Sequence, residues 1–406
     1  MAIFARPEDE LLVCCARIDV PPAIADRITA LLDAPLDWVY LQDLAQRHAV
    51  GPLLNRSLRA VCPERVSEVV LSQLAAAQAQ NTRRALQLSG ELLKLLRIFA
   101  PVPVLPIKGP VLALMAYGNL ALRDYADLDV VIHERDLVVA LARLQSLDLT
   151  LDADYTPSTE YVRTEYHYRF VDADRSVGVE VHWRLAPRHY GALAAPDLLW
   201  RDAQTFDYFG LSALAPRPEA YLLYLCGHGF RHLWSKLAWL CDIAELLRTS
   251  PDFDWSATLE EARRLQMMRV MLLGIGLARD VLAVPLPDEI VRLITADRVV
   301  QRLIPQLRRD LFASHPKSAQ ELRRYLLHLR IIEDRRTRLR YLRHVGAVLL
   351  RRLHPNAQDR GVIKLPRALS FLYYLIRPLR LIVIYGPALI RRNRVQHPDP
   401  SPRDDD

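Results

Sequence analysis

The sequence predicts an α+β protein with a helical N-terminal region, a small mixed-sheet core and a helical C-terminal region. Residues 8–100 place apolar side chains at helical spacing, and residues from 218 onward do so again. Between them, from Pro101, short β-rich runs alternate with helical stretches. The predicted segments are a helical region at 1–100, an α/β core at 101–210, a helical region that completes a cleft at 211–300, a basic helical region at 301–390 and a disordered tail at 391–406.

Within the N-terminal region, the stretch from Glu64 to Phe99 has no proline and one glycine. It predicts either one long helix or two helices joined near Asn81. The region at 301–390 is arginine-rich and helical in pattern, with breaks near Pro355 and Pro366.

The core and the region after it show a regular succession of elements. Pro110 follows Lys108-Gly109 directly and suits the first turn of a helix. In the core the patterns predict a strand in Val102–Ile107, a helix at Val111–Tyr117, a buried strand at Leu128–Ile132, a helix at Arg135–Leu147 and a hairpin of Tyr166–Val171 with Val177–Trp183 around the turn Asp172–Ser176. The helices predicted after the core are Tyr221–Arg231, Leu233–Arg248, Ala257–Leu265 and Val270–Leu282.

Composition excludes several classes of protein. With 406 residues, 51% of them hydrophobic and 25% charged, the chain is neither collagen-like nor a disulfide-rich miniprotein nor wholly disordered. Its five cysteines are scattered and form no Cys-x-x-Cys pair, which favours reduced thiols and argues against a cysteine-based zinc site. The first residues carry acids instead of the apolar run of a signal peptide, and the longest uncharged runs, Gly109–Leu122 and Leu381–Ile390, are too short to span a bilayer. We therefore expect a cytoplasmic protein whose contact with the inner membrane, where it occurs, is peripheral.

Charge is distributed unevenly along the chain. Residues 301–406 carry 23 lysines and arginines against 9 acidic residues, so this region is strongly basic while the rest is acidic. Such a region can meet nucleic acid, anionic lipid or an acidic partner, or it can be an arginine-rich helical surface. The stretch at 368–385 mixes aromatic, aliphatic and arginine side chains, which is compatible with an interfacial membrane helix or with packing on the protein itself. It has no RNA-binding signature, so nucleic acid ranks below an anionic membrane surface, and packing ranks above both.

Two aspartates lie at the start of the buried strand predicted at Leu128–Ile132. Asp127 and Asp129 stand two residues apart, so both carboxylates project from one face of the strand. Adjacent unpaired carboxylates repel each other, and hard oxygen ligands of this kind favour Mg²⁺ or Mn²⁺. Glu180, flanked by valines in the predicted hairpin, would complete a three-carboxylate cluster able to bind two metals if its strand lay beside the first. The alternative is that the two aspartates only cap a turn before the strand.

A strand, a tight turn and a helix start precede these aspartates. Gly109 allows backbone amides to approach a phosphate, and the helix N-terminus adds a favourable dipole. Lys108 would add a positive charge for the same phosphates. The turn therefore predicts a phosphate-binding element.

Together these motifs resemble the DNA polymerase beta-like nucleotidyltransferase superfamily. More narrowly, Ile107-Lys108-Gly109, Tyr117-Gly118, Arg123, Asp127-Leu128-Asp129 and Val179-Glu180-Val181-His182-Trp183 resemble the bacterial uncharacterised nucleotidyltransferase family, over about residues 30–250. The resemblance implies a metal-dependent transferase that moves a nucleoside monophosphate from an NTP to an unknown acceptor hydroxyl by a two-metal mechanism. It assigns Asp127, Asp129 and Glu180 to the metals and Lys108, Gly109 and Arg123 to the nucleotide. The turn departs from the superfamily, which usually has Gly-Gly or Gly-Ser there.

Members of that family often lie beside polysaccharide-biosynthesis genes. A non-catalytic nucleotide-binding module that regulates polysaccharide or envelope biosynthesis is therefore the alternative function, favoured by the Lys-Gly turn and by the lack of a readable acceptor site. Two roles are open for Arg123, which either neutralises phosphate or forms an ion pair with Asp124.

A second polar cluster follows in the predicted helical region. His228, His232 and Lys236 recur at intervals of four residues, and Asp242 lies just beyond on the same side. The resemblance implies that these residues face the catalytic cleft and hold nucleotide or acceptor. The alternatives are helix packing, or a separate metal site of His228, His232 and Asp242 as in metal-dependent phosphohydrolases. His182 shares the strand face of Glu180 and either lines the cleft or is a packed histidine.

Overall fold

A computed structural model describes residues 4–155, 158–313 and 317–353, with the side chains of 317–320 and 351–353 left out. The predicted tail at 391–406, the breaks near Pro355 and Pro366 and the stretch at 368–385 lie outside the described residues. The described part of the chain forms two compact units, one of residues 4–313 with 331–337 and one of residues 317–330 with 338–353.

The N-terminal region is helical, as predicted. Its helices are α1 (Pro7–Cys15), α2 (Pro22–Leu32), α3 (Trp38–Arg47), α4 (Gly51–Val61) and α5 (Glu68–Phe99). Ser67 caps α5 by accepting a hydrogen bond from the Val70 amide, and the helix then runs without a break for 32 residues. The helix does not divide at Asn81. The Asn81 side chain donates to the Ala121 carbonyl oxygen at 2.9 Å and so ties the continuous helix to the core.

The core is a five-stranded mixed sheet covered by helices. Its elements in chain order are β1 (Leu105–Ile107), α6 (Gly109–Tyr117), β2 (Leu128–Val131), α7 (Leu137–Leu144), β3 (Thr150–Leu151), α8 (Thr159–Thr164), β4 (His167–Val171), β5 (Gly178–His182) and α9 (Asp197–Trp200). The strand order is β1-β2-β5-β4-β3, with β2 and β5 parallel and every other pair antiparallel. The predicted hairpin is therefore β4–β5, and it inserts β5 directly beside the Asp-x-Asp strand.

A second hairpin, which we did not predict, closes the core. Strands β6 (Gln204–Tyr208) and β7 (Leu211–Ala215) pair in antiparallel fashion around Phe209 and Gly210, both with positive φ. That conformation is the two-residue hairpin turn whose twist suits its strands. The hairpin extends beyond residue 210, where we placed the end of the core.

The following region is helical, with α10 (Pro218–Arg231), α11 (Leu237–Arg248), α12 (Trp255–Arg264), α13 (Met268–Leu282), α14 (Asp288–Ala296) and α15 (Arg298–Phe312). The prediction that a helix starts at Leu233 is wrong by four residues. Leu233 and Trp234 have positive φ, and the Trp234 amide bonds back to the Gly229 carbonyl oxygen, which ends α10 and separates it from α11.

The second unit contains most of α16 (Lys317–Ile331) and most of α17 (Arg335–Leu353). Tyr341 and His328 join the two helices through a 2.6 Å hydrogen bond. Within the described ranges, we find no helix that is both long enough and apolar enough to cross a membrane. All five cysteines are buried free thiols.

Candidate functional site

The two central strands of the sheet bring the predicted carboxylates together. Because β2 and β5 are parallel and in register, Asp129 lies opposite Glu180. Asp129 is almost fully buried, whereas the Glu180 side chain is 21% exposed. Asp127 is half-buried at the start of the same strand, so all three acids lie at one part of the sheet.

A lysine ammonium and a histidine imidazole contact these carboxylates. Lys108 Nζ lies 2.7 Å from Asp129 Oδ1, and both side chains are largely enclosed. His182 Nε2 lies 3.0 Å from the same Asp129 oxygen and 3.3 Å from Glu180 Oε2. His182 and Glu180 share a face of β5 because they are two residues apart.

The ionisation of the acids follows from these contacts. Burial opposes the charge on Asp129, but the Lys108 ammonium and the His182 hydrogen bond outweigh burial and hold its pKa well below the usual range. Glu180 is buried too, and its contact with His182 lowers the pKa of its carboxyl group. For Asp127, burial and the neighbouring Asp129 charge raise the pKa to about 6. The cluster therefore holds two firmly ionised carboxylates beside a third that titrates close to neutrality.

The donor set fits a divalent metal ion. One ligand atom each from Asp129, Glu180 and His182 lies within 4.8 Å of the other two, and among the residues that the structure describes this is the group of three with that geometry. Carboxylate oxygens and an imidazole nitrogen are common ligands of divalent cations. This group shares Asp129 and Glu180 with the predicted Asp127, Asp129 and Glu180 and has His182 as its third member.

The Lys108-Gly109 turn has a conformation that few residues adopt. Lys108 has φ 55° and ψ −144°, and Gly109 has φ 43°. Tyr221 on α10 contributes to this turn by accepting a 2.7 Å hydrogen bond from the Lys108 amide. A non-glycine residue held at positive φ is strained, and such strain concentrates at functional sites. The turn directs the Lys108 ammonium onto Asp129 and begins α6 at Gly109.

Arg123 has a different partner from both predicted ones. Its guanidinium donates to the two carboxylate oxygens of Asp242 at 2.8 and 2.9 Å, and the Tyr117 hydroxyl donates to one of them at 2.8 Å. The Arg123 and Asp242 side chains are 9% and 2% exposed. Arg123 therefore forms a buried ion pair between the core and α11, and its contact with phosphate stays a prediction.

The second predicted cluster does not form a metal site in the described structure. Asp242 is committed to Arg123 and Tyr117, while His228 and His232 pack their rings against each other and against Trp239. Burial and the nearby Lys108 charge lower the pKa of His228. Lys236 lies over the Trp239 ring at 5.9 Å, and both it and His232 are exposed. These residues form an aromatic and cationic surface on α10 and α11, with His228 close to the Lys108 charge.

Sequence reasoning missed the tyrosines of α10. Tyr221 holds the Lys108 turn, and Tyr224 packs near His228. They are three residues apart and precede His228 at helical spacing, so the periodicity of the helix carried a signal for this face.

A family model matches the part of the chain that contains this cluster. The model for the uncharacterised nucleotidyltransferases matches residues 34–283, which is well over half of the chain and includes β1 to β7. No curated protein matches the chain. No solved structure matches it.

Proposed function

The chain belongs to the uncharacterised nucleotidyltransferase family, and we propose that it transfers a nucleoside monophosphate from an NTP to an acceptor hydroxyl, releasing pyrophosphate. The observation that carries the proposal is the register of β2 and β5, which sets Asp129 opposite Glu180. Paired acids on neighbouring strands supply the ligands that phosphoryl-transfer chemistry needs. Their partners, Lys108 and His182, keep both carboxylates ionised.

We propose that Asp127, Asp129 and Glu180 hold Mg²⁺ or Mn²⁺. Divalent ions held there would stabilise the charge on the attacking and leaving oxygens of an in-line displacement. Glu180 is the more exposed of the two facing carboxylates, so an acceptor hydroxyl reaches the cluster most easily on its side. We therefore propose that Glu180 lies beside the bound acceptor and that Asp129 lies between the acceptor and the nucleotide.

Lys108 and Gly109 are the proposed contacts of the triphosphate. The Lys108 ammonium would exchange Asp129 for a phosphate oxygen, and the amides at the start of α6 would face the same charge. His228, His232 and Lys236 are proposed to line the nucleotide side of the cleft. Trp239 gives them an aromatic surface on which a base could stack.

The direct test is pyrophosphate release and label transfer with each of the four NTPs, labelled at the α-phosphate, plus Mg²⁺ or Mn²⁺ and a panel of hydroxyl acceptors. Asp129→Asn and Glu180→Gln should lower turnover by about 10² or more, because each removes a proposed ligand. Glu160→Gln, on an exposed surface ion pair, is the matched control and should keep wild-type turnover. Full turnover by Asp129→Asn would refute the assignment.

One observation favours the alternative, a nucleotide-binding module without catalysis. The Lys108 ammonium already neutralises Asp129, and a non-catalytic descendant could retain that ion pair as structure. Calorimetry separates the two functions, because tight NTP binding without turnover over hours, across the acceptor panel, supports the module.

We also propose that the basic region meets an anionic membrane surface. In α17, Leu339, Leu342, Leu349 and Leu350 are 44–64% exposed on a helix rich in arginine, and such a surface suits anionic lipid. Co-sedimentation with phosphatidylglycerol vesicles, compared with phosphatidylcholine vesicles, tests this. A Leu339→Glu/Leu342→Glu variant that pellets as well as the wild type would exclude it.

A further inference from the structure

His182 places a nitrogen atom among the carboxylate oxygens of the sheet. Its side chain is 5% exposed, and its Nε2 atom contacts Asp129 Oδ1 at 3.0 Å and Glu180 Oε2 at 3.3 Å. Ligand atoms that share one ion through bonds of about 2.1 Å lie roughly 3 Å apart. The two distances from Nε2 are therefore those of neighbouring ligands around a single cation, and one ligand atom from each of the three residues lies within 4.8 Å of the other two.

The surroundings of the His182 ring fix the direction in which it points. Its ring stacks on the His167 ring, with centroids 5.0 Å apart and 18° between the planes, and the centroid of the Tyr166 ring lies 5.9 Å away. Its Nδ1 atom is buried and has no hydrogen-bond partner among the described residues. The polar contacts of the ring are therefore all made by Nε2, toward the two carboxylates.

Ligand type decides which cation such a site prefers. Oxygen ligands alone suit Mg²⁺, whereas an imidazole nitrogen adds affinity for first-row transition metals and adds little for Mg²⁺. We propose that His182 is a metal ligand together with Asp129 and Glu180, and that the site therefore selects a transition-metal ion such as Mn²⁺ over Mg²⁺. The inference rests on the proposed function in one respect, which is that a divalent cation binds these carboxylates.

Metal binding to the full chain, measured without nucleotide, tests the inference independently of turnover. Titration with Mn²⁺, followed by the loss of the free-ion EPR signal, and competition by Mg²⁺ give the selectivity ratio. The wild type should prefer Mn²⁺, and His182→Gln should weaken Mn²⁺ binding by at least about 10-fold with a much smaller effect on Mg²⁺. His133→Gln is the matched control, because its ring stacks on Trp200 and lies outside the group of three ligands; it should keep the wild-type ratio.

A second measurement needs no variant and so does not depend on how His182→Gln folds. Pulsed EPR of the bound Mn²⁺ should show the modulation of a directly coordinated ¹⁴N nucleus in the wild type. Absence of that modulation from bound Mn²⁺, or an unchanged selectivity ratio in a folded His182→Gln, would overturn the inference.

The same titrations separate this inference from the proposed function. If Asp129→Asn abolishes Mn²⁺ binding while His182→Gln leaves it intact, the carboxylate site stands and the histidine ligand is rejected. If the wild type binds neither metal, with or without NTP, both proposals fail.

Discussion

Arg123 and Asp242 form a bidentate ion pair that is almost completely shielded from water. Arg123 lies four residues before Asp127, the first residue of the Asp-x-Asp segment of the core, and Asp242 lies in the middle of α11. The pair therefore joins the core to the helical region that carries His228 and Lys236.

Breaking this pair should be costly. Arg123→Met leaves the Asp242 carboxylate buried with only Tyr117 as partner, so the free energy of unfolding should fall by about 3–5 kcal/mol. Urea denaturation followed by circular dichroism measures it. The control is Arg27→Met, which breaks the exposed ion pair with Glu10 and should cost roughly 0–1 kcal/mol. Equal losses in the two variants would show that the buried pair has no special role.

Two glycines of long helices should respond in opposite ways to alanine. A β-carbon at Gly229 would overlap the buried Trp234 ring, whereas a β-carbon at Gly90 in α5 would meet nothing within 4 Å. Gly229→Ala should destabilise the protein by about 1–3 kcal/mol, and Gly90→Ala should stabilise it by about 0.5–1 kcal/mol. Thermal unfolding of both variants tests the prediction, which a stabilised Gly229→Ala would contradict.

Lys108 should affect metal and nucleotide in opposite directions. Its ammonium forms an ion pair with Asp129 Oδ1 and so competes with a metal ion for that oxygen. Lys108→Met should therefore tighten Mn²⁺ binding in the absence of nucleotide by roughly tenfold, which is about 1.4 kcal/mol. The same change should weaken NTP binding, because the proposed phosphate contact is lost. Calorimetric titration of each ligand measures the two effects, with Lys94→Met, on an exposed lysine of α5, as the control. Weaker binding of both ligands would argue that Lys108 only maintains the structure.

His48 should make stability depend on pH. Burial, with the charges of Arg47 and Lys236, lowers its pKa to about 4 from the ordinary 6.5, and its Nδ1 atom accepts a hydrogen bond from the Leu237 amide at the start of α11. As the pH falls, His48 binds a proton in the unfolded chain at a higher pH than in the folded chain. The stabilising contribution of the neutral, hydrogen-bonded His48 is therefore complete above pH 6.5. It is lost as the pH falls toward 4, to an extent of about 3 kcal/mol.

The free energy of unfolding, measured at pH 7 and at pH 4.5, tests this difference. His48→Gln should be less stable than the wild type at pH 7 and should lose less stability on acidification. The control His133→Gln, at a half-buried histidine of the core, should keep the wild-type difference. The prediction fails if His48→Gln loses as much stability as the wild type between the two values.

Local patterns predicted much of the fold. The unbroken alanine and leucine run of α5, the alternation of β4 and β5 and the apolar run of β2 are each encoded within a few consecutive residues. The adjacency of Asp129 and Glu180 followed from treating two such strands as neighbours.

Contacts between distant segments could not be predicted from local sequence patterns. Arg123 meets Asp242 across 119 residues, and Lys108 meets Tyr221 across 113, so no spacing rule connects them. The β6–β7 hairpin is different, because its alternation around Phe209-Gly210 is local and could have been recognised. The approach of His182 to Asp129 and Glu180 depends on side-chain direction and on the pairing of two strands, which the alternating pattern of a single strand does not determine.

The shortness of the outer strands has a consequence for solubility during folding. β1 and β3, at the two edges of the sheet, contain three and two residues, and Pro106 removes one amide donor from β1. Long exposed edges recruit other chains into intermolecular sheets, and short edges with proline resist such aggregation. The facing carboxylates of the site lie on β2 and β5, and each of these strands has a paired strand on both sides. The residues of the site therefore do not require a long exposed edge strand with which other chains could pair.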